Sequence, residues 1–301
     1  MSATRTAKVL DLPTGAKAGA KRPDLKSGSI FFVGTATVLL RYAGFTILTD
    51  PNFLHRHEVA HLGYGLRSAR RTEPAIDIAD LQRLPVDLVI LSHFHEDHFD
   101  RHVQRDLDKT WPIVTNRQAA ATLRLKGFTN VHALENWETF TATKGGVALD
   151  ITSMPGAHGP GILAKLLPRV MGSMLAFRTG AGGKGGTDTS LVRLYVTGDT
   201  LIHDKIHEIP RRYPDIDLAL LHLGGTRAFG VLVTMDGAQG VEMIRIVNPR
   251  TAIPIHYNDY TVFKSPLTDF QDKVVAAGLA DRVRYLSHGD TYTFEVPASR
   301  R

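Results

Sequence analysis

From Ser29 onward the chain is a succession of short apolar runs punctuated by glycine and proline. Ile30-Phe31-Phe32-Val33, Thr37 to Tyr42 and Phe45 to Leu48 read as three strands, with turns at Gly34 and Ala43-Gly44. Val86 to Ser92 is almost continuously apolar, the pattern of a strand buried on both faces. Between these runs, residues 52–85 read as a long loop with at most short helices. Such a connection is uncommon in a compact domain unless it serves function. Helical patterns follow at 101–109 and from an Asn116 cap to about Lys126, around a strand at 111–115. Strands are expected near 130–133, 137–142, 147–154, 172–179, 190–197, 215–222 and 252–256. Helices are expected at 236–247 and 266–278, and two closing strands near 283–286 and 291–295. A Gly-rich hairpin at 180–187 joins one strand pair.

Strands gather first and then alternate with helices, in two successive halves. Layers of helix, sheet, sheet and helix bury both apolar faces of such strands, so the expected class is an α/β, αββα four-layer sandwich. One domain is expected over 29–297. Residues 1–28 lack periodicity and are expected to be a disordered basic tail. There Arg5, Lys8, Lys17, Lys21, Arg22 and Lys26 oppose only Asp11 and Asp24, so most of the net charge of +6 lies in that stretch. No apolar run follows the early basic residues, so no secretory leader is expected, and no run is long enough to span a bilayer. Cysteine is absent, which excludes disulfides and thiolate metal sites and fits a cytoplasmic location.

The charged positions become informative at 93–98. His93-x-His95-x-Asp97-His98 places four potential metal ligands within six residues, directly after the buried strand. Imidazole nitrogen and carboxylate oxygen are ligand types for zinc and similar divalent ions. His158, Asp199 and His256 each lie at or just beyond a strand end. Alone, each is weak evidence. Together with the motif they make seven candidate ligands, enough for two adjacent ions. Two divalent ions about 3.5–4 Å apart can share one hydroxide and polarise a carbonyl or phosphoryl oxygen.

The order and spacing of these residues resemble the metallo-β-lactamase superfamily over about residues 29–297. The resemblance implies the metallo-β-lactamase fold, a first metal on His93, His95 and His158, a second on Asp97, His98 and His256, and a bridging Asp199. It also implies two divalent cofactors, zinc first with manganese or iron open, and Asp97 as the catalytic carboxylate that orients the hydroxide. Val33-Gly34, Thr49-Asp50-Pro51 and Ile255-His256-Tyr257 look like the branch of ascorbate-6-phosphate lactonases and N-acyl-phosphatidylethanolamine phospholipase D. Many members of that branch carry a histidine after the first-turn glycine; this chain has Thr35.

The expected function is therefore hydrolysis of a small, anionic ester, lactone or phosphodiester. The alternative is phospholipase D-like cleavage of N-acyl phospholipids, which the apolar 161–171 insertion favours. Iron-dependent redox chemistry and nucleic-acid processing rank lower, because those branches carry extra domains or arms not found here, and no nucleic-acid partner is expected. For the substrate pocket the sequence offers Arg67 and Arg70 in the long loop, Leu166 and Leu167 in the insertion, and Tyr257 beside a ligand. His55, His57 and His61 are expected at the surface, and His222 beside the ligands. The oligomeric state is left open.

Overall fold

The computed structural model describes residues 8–13, 23–63, 65–161, 163–179 and 190–301. Two seven-stranded sheets face each other. The first runs Thr291–Glu295, Ser27–Gly34, Thr37–Tyr42, Phe45–Thr49, Leu88–Leu91, Ile113–Asn116, Val131–Leu134 in spatial order. The second runs Lys8–Asp11, Thr139–Lys144, Val147–Pro155, Met171–Thr179, Ser190–Val196, Leu218–His222, Thr251–Ile255.

Strand alternation decides what each face buries. Ile30, Phe32, Val38, Leu40, Ile47, Leu88 and Ile90 point into the core shared with the second sheet. Val33, Leu39, Leu48, Val89 and Leu91 point the other way, onto Val103, Ala120 and Leu123 of the outer helices. Helices Gly237–Val247 and Leu267–Ala276 cover the second sheet through Met243, Ile244, Phe270 and Val274. The result is the expected four-layer arrangement.

The helix starts are written in the sequence. Asn116 caps Arg117–Leu125, its side chain accepting from the Ala119 N–H at 2.9 Å. Asp236 caps Gly237–Val247 in the same way. Among the described residues, no helix is long and apolar enough to cross a membrane.

Phe45–Thr49, Leu88–Leu91, Ile113–Asn116 and Val131–Leu134 pair in parallel. So do Ser190–Val196, Leu218–His222 and Thr251–Ile255. Their carboxyl ends deliver Asp50, Ser92, Asn116, Thr197, His222 and His256 to the loops that follow, the usual place for a site in such sheets.

Three expectations are corrected. Part of the supposed tail is ordered: Lys8–Asp11 adds a parallel strand to Thr139–Lys144, and Leu12 is buried behind it. Residues 1–7 and 14–22, like the 180–187 hairpin, lie outside the described residues. The loop 52–85, beside the short helix Ile78–Gln82 that the expectation allowed, holds a small hairpin, Val59–His61 with Arg67–Ala69. The expected strand near 283–286 reduces to one bridge from Val283 to Ala252. Beyond it the Leu286 carbonyl accepts from the Tyr257 hydroxyl instead of continuing a ladder.

Candidate metal centre

The His93–His98 segment is held from several sides. The Ser92 N–H donates to Asp50 Oδ1 at 2.7 Å, which fixes the strand end. The His98 and Phe99 N–H groups both return to the His95 carbonyl, closing a tight turn. Asp100 then caps helix Arg101–Asp106 through the N–H groups of His102 and Val103. The carbonyl between His95 and Asp97, that of Glu96, accepts from Asn52 Nδ2 at 2.6 Å. Asn52 is itself fully buried, and its Oδ1 accepts from Arg70 Nη1 and from the Tyr260 hydroxyl.

The more distant histidines are oriented by carbonyls. His158 Nδ1 donates to the Val233 carbonyl at 2.9 Å, and His256 Nδ1 to that of Leu223 at 3.1 Å. Each bond sets the tautomer and leaves Nε2 free to act as a ligand. His256 has a left-handed backbone, φ 60°, stabilised by its N–H donating to the Thr35 carbonyl at 2.6 Å.

The fold brings all seven candidate ligands together in two groups. His93, His95 and His158 form one; Asp97, His98, Asp199 and His256 form the other. Within each group the ligand atoms lie within 4.8 Å of one another. His98 Nε2 is 3.4 Å from Asp199 Oδ1, and His256 Nε2 is 3.5 Å from Asp97 Oδ2. Four buried atoms there, Asp97 Oδ1, His98 Nε2, Asp199 Oδ1 and His256 Nε2, have no hydrogen-bond partner. Unsatisfied buried polar atoms are costly, so a cluster of them pointing inward fits a cation.

Titration follows the same logic. Burial pushes His93 and His158 below the usual imidazole range and His95 down to about 4. These three are therefore neutral, the state that binds a metal. Burial also works against a charge on His98, but Asp199, Asp97 and Asp50 outweigh it and raise its pKa well above normal. His256 is raised for the same reason, by Asp199 and Asp97. The acidic group demands positive charge, and protons on these two histidines supply it when no cation does. Behind it, Asp50 Oδ2 lies 3.5 Å from His98 Nδ1 and 3.4 Å from His222 Nε2. Burial opposes its charge, yet the two histidines hold Asp50 at about 2.

The profile of the beta-lactamase superfamily domain matches residues 46–257, which include all seven candidate ligands. The chain belongs to the metallo-β-lactamase superfamily. It is similar, at 26% identity over 259 residues, to a metal-dependent hydrolase of Carboxydothermus hydrogenoformans; the match covers 84% of this chain and 95% of that protein. A metal-dependent hydrolase of Archaeoglobus fulgidus is similar at 27% identity, covering 71% of this chain and 84% of that one. The expectation of a hydrolase agrees with the names of these relatives. The fold is similar to that of isothiocyanate hydrolase from Delia radicum gut bacteria, with TM-score 0.71, 22% identity, and coverage of 89% and 100% of the two chains.

Within this superfamily fold, the residues expected to bind substrate scatter. Arg67 is exposed in the wall of a surface groove. Arg70 is a correction: it is 1% exposed, and its guanidinium bonds to Asn52 and to the Thr72 carbonyl, so it braces the fold. Tyr257 is a second correction. Its hydroxyl is spent on the Leu286 carbonyl at 2.8 Å, and its ring sits beside Phe32. Leu166 is exposed, but Leu167 packs with Ala228 and Val233, and Val170 and Met171 are buried. The insertion thus turns most of its apolar side chains inward, which removes the feature that favoured lipid contact. Ile162 lies outside the described residues. Of the surface histidines, His61 Nδ1 pairs with Glu96 at 2.8 Å and His55 Nδ1 with Glu73 at 2.9 Å.

Sequence reasoning missed Asn52 and Thr234, whose hydroxyl donates to Asp199 Oδ2 at 3.0 Å. It quoted Asp50 only within Thr49-Asp50-Pro51, as part of a family likeness, and gave it no role beside His98 and His222. No local pattern marks the roles of these residues, because their partners are far away in the chain.

Proposed function

We propose that this protein is a dinuclear metal-dependent hydrolase acting on a small ester, lactone or phosphodiester with an anionic group. The observation that supports it most is the pair of buried ligand groups with four unpartnered atoms facing inward. His93, His95 and His158 would hold one ion, and Asp97, His98 and His256 the other, with Asp199 between them. Bound divalent ions of this kind, zinc first among them, polarise a substrate oxygen and lower the pKa of water to about 7.

The chain's own residues do the rest. Asp97 Oδ1 carries no hydrogen bond, so it is free to accept the proton of attacking water and pass it to the leaving group. Burial opposes its charge, but His98 and His256 keep it ionised, so the carboxylate is in the form that can accept a proton. Thr234 fixes one oxygen of Asp199 and leaves the other for a cation. Burial of the cluster excludes bulk water and strengthens each of these interactions. The reading keeps the chain near the lactonase-like branch, supported by Thr49-Asp50-Pro51 and Ile255-His256-Tyr257.

The test pairs elemental analysis with a screen of lactones, phosphodiesters and N-acyl phospholipids, each metal added back in turn. Two ions per chain and turnover of one ester class are expected. A stoichiometry that stays at one after supplementation sinks the dinuclear reading.

A further inference from the structure

Two cavities flank the metal-bearing edge, and only one has a candidate ligand in its wall. The groove beside Arg67 measures about 590 Å³, and none of the seven candidate ligands lines it. The other, of about 470 Å³, has His158 in its wall together with Asn136, Met171, Arg117 and Arg169. That volume is in the range of small-molecule sites.

Arg169 stands out by how its backbone is held. Its N–H donates to Gln118 Oε1 at 2.8 Å, and its carbonyl accepts from Asn116 Nδ2 at 2.7 Å. The same Asn116 amide donates to the Ser92 carbonyl at 2.9 Å, which also accepts from the Met171 N–H at 3.0 Å. Ser92 directly precedes His93. The arginine is thus tied on one side to helix Arg117–Leu125 and on the other, through Asn116, to Ser92 at the end of the strand before the motif. Its guanidinium, by contrast, has no ion pair or hydrogen bond among the described residues. The neighbouring Arg117 is different, since its charge is answered by Glu135 at 3.0 Å. A pinned backbone with a free guanidinium binds an anion at low ordering cost, because only side-chain rotamers are lost.

We propose that Arg169 is the specificity-determining residue of a substrate subsite beside His158, which takes a carboxylate or phosphate group. The planar fork of arginine matches both. Val170, Met171, Leu134 and Pro168 complete the wall with apolar surface for the rest of a small substrate. The assignment rests on the hydrolase reading for which molecule is turned over, but anion binding can be measured without turnover.

The experiment titrates phenylphosphonate, benzoate and neutral benzamide into the metal-loaded full chain by calorimetry, with wild type, Arg169→Met and Arg169→Lys. In parallel the same proteins are assayed on bis(p-nitrophenyl) phosphate and p-nitrophenyl acetate. Loss of one charge-assisted pair should weaken binding of an anion about tenfold in Arg169→Met. Arg169→Lys should restore part of it, and benzamide should bind all three alike. The two anions show whether phosphate or carboxylate is preferred. Equal anion affinity in wild type and Arg169→Met means that the metals alone hold the anion and overturns the inference. So does equal loss on benzamide. Absence of turnover on both esters counts against the hydrolase reading and leaves the binding comparison to judge Arg169.

Discussion

Asn52→Leu should damage both the fold and the metal centre, by an amount the hydrogen bonds allow us to work out. The side chain is fully buried and makes three bonds: to the Glu96 carbonyl, from the Tyr260 hydroxyl and from Arg70 Nη1. Leucine fills similar space and makes none of them. The Glu96 carbonyl loses its donor and the fully buried Tyr260 hydroxyl its acceptor, while Arg70 Nη1 keeps only the longer contact, 3.3 Å, to the Asn52 carbonyl. Each orphaned buried group costs about 1–3 kcal/mol, so the total should be about 4 kcal/mol. That is a large share of a typical stability of about 5–15 kcal/mol. It should lower Tm by roughly 6 °C. Because Glu96 lies between His95 and Asp97, metal affinity should fall as well, by about ten- to hundredfold. Denaturation with chelator present isolates the first effect, since bound metal would add its own stabilisation. Metal-buffer titration isolates the second. Asn52→Asp separates them further: it keeps an acceptor for Arg70 and Tyr260 but sets a carboxylate oxygen against the Glu96 carbonyl. It should therefore lose more metal affinity than stability. A cost below about 1 kcal/mol for Asn52→Leu would refute the idea that this amide braces the motif.

Three other predictions follow from the same geometry. Asp97→Asn should cut turnover by about 10²- to 10⁴-fold while circular dichroism shows an intact fold; near-wild-type rates at full metal occupancy would remove Asp97 from the mechanism. The metal-free protein should lose stability as pH falls from about 6.5 towards 4. As pH falls through the upper part of that window, His95, held at about 4, and the lowered His93, His158 and His222 take up protons more readily in the unfolded chain than in the folded one. Each contributes up to about 1.4 kcal/mol per pH unit; the raised His98 and His256 are protonated in both states there and act only at higher pH. Urea midpoints on chelated protein that stay flat across this window would contradict the assignment. Finally, Leu167→Asp should destabilise by about 3 kcal/mol or more, since it buries a charge against Ala228 and Val233, whereas Leu166→Asp, 54% exposed, should stay within about 0.5 kcal/mol. The reverse order in denaturation would mean that the insertion packs the other way round.

What the sequence revealed, and what it hid, divides along one physical line. Chemistry was legible where the local backbone decides where a side chain points. The apolar run before Ser92 announces a buried strand, and strand alternation with the tight turn after it forces His93 through His98 into one small space. Caps such as Asn116 and Asp236 are legible for the same reason, since each bonds within three residues of itself. His158, Asp199 and His256 were legible only through their position at strand ends and the family resemblance. Direction was misread where distant partners set it. Tyr257 follows the candidate ligand His256 in sequence, but His256 adopts a left-handed backbone and the next side chain turns away to the Leu286 carbonyl. Arg67, Arg70 and Arg71 look alike as a charge cluster. In the structure Arg67 and Arg71 are exposed, whereas Arg70 bridges to Tyr260 and enters the core to meet Asn52. Asp50 acquires its role from His222, 172 positions further along, and no local pattern can carry that information. The strand at Lys8–Asp11 was missed for a different reason. It joins the sheet through backbone groups of an open edge, leaving three of its four side chains exposed, so it needs no apolar alternation to exist. Residues whose function is to hold another residue are therefore the ones a sequence conceals. In this protein they are the ones, Asn52 and Asp50 above all, on which the precision of the metal centre depends.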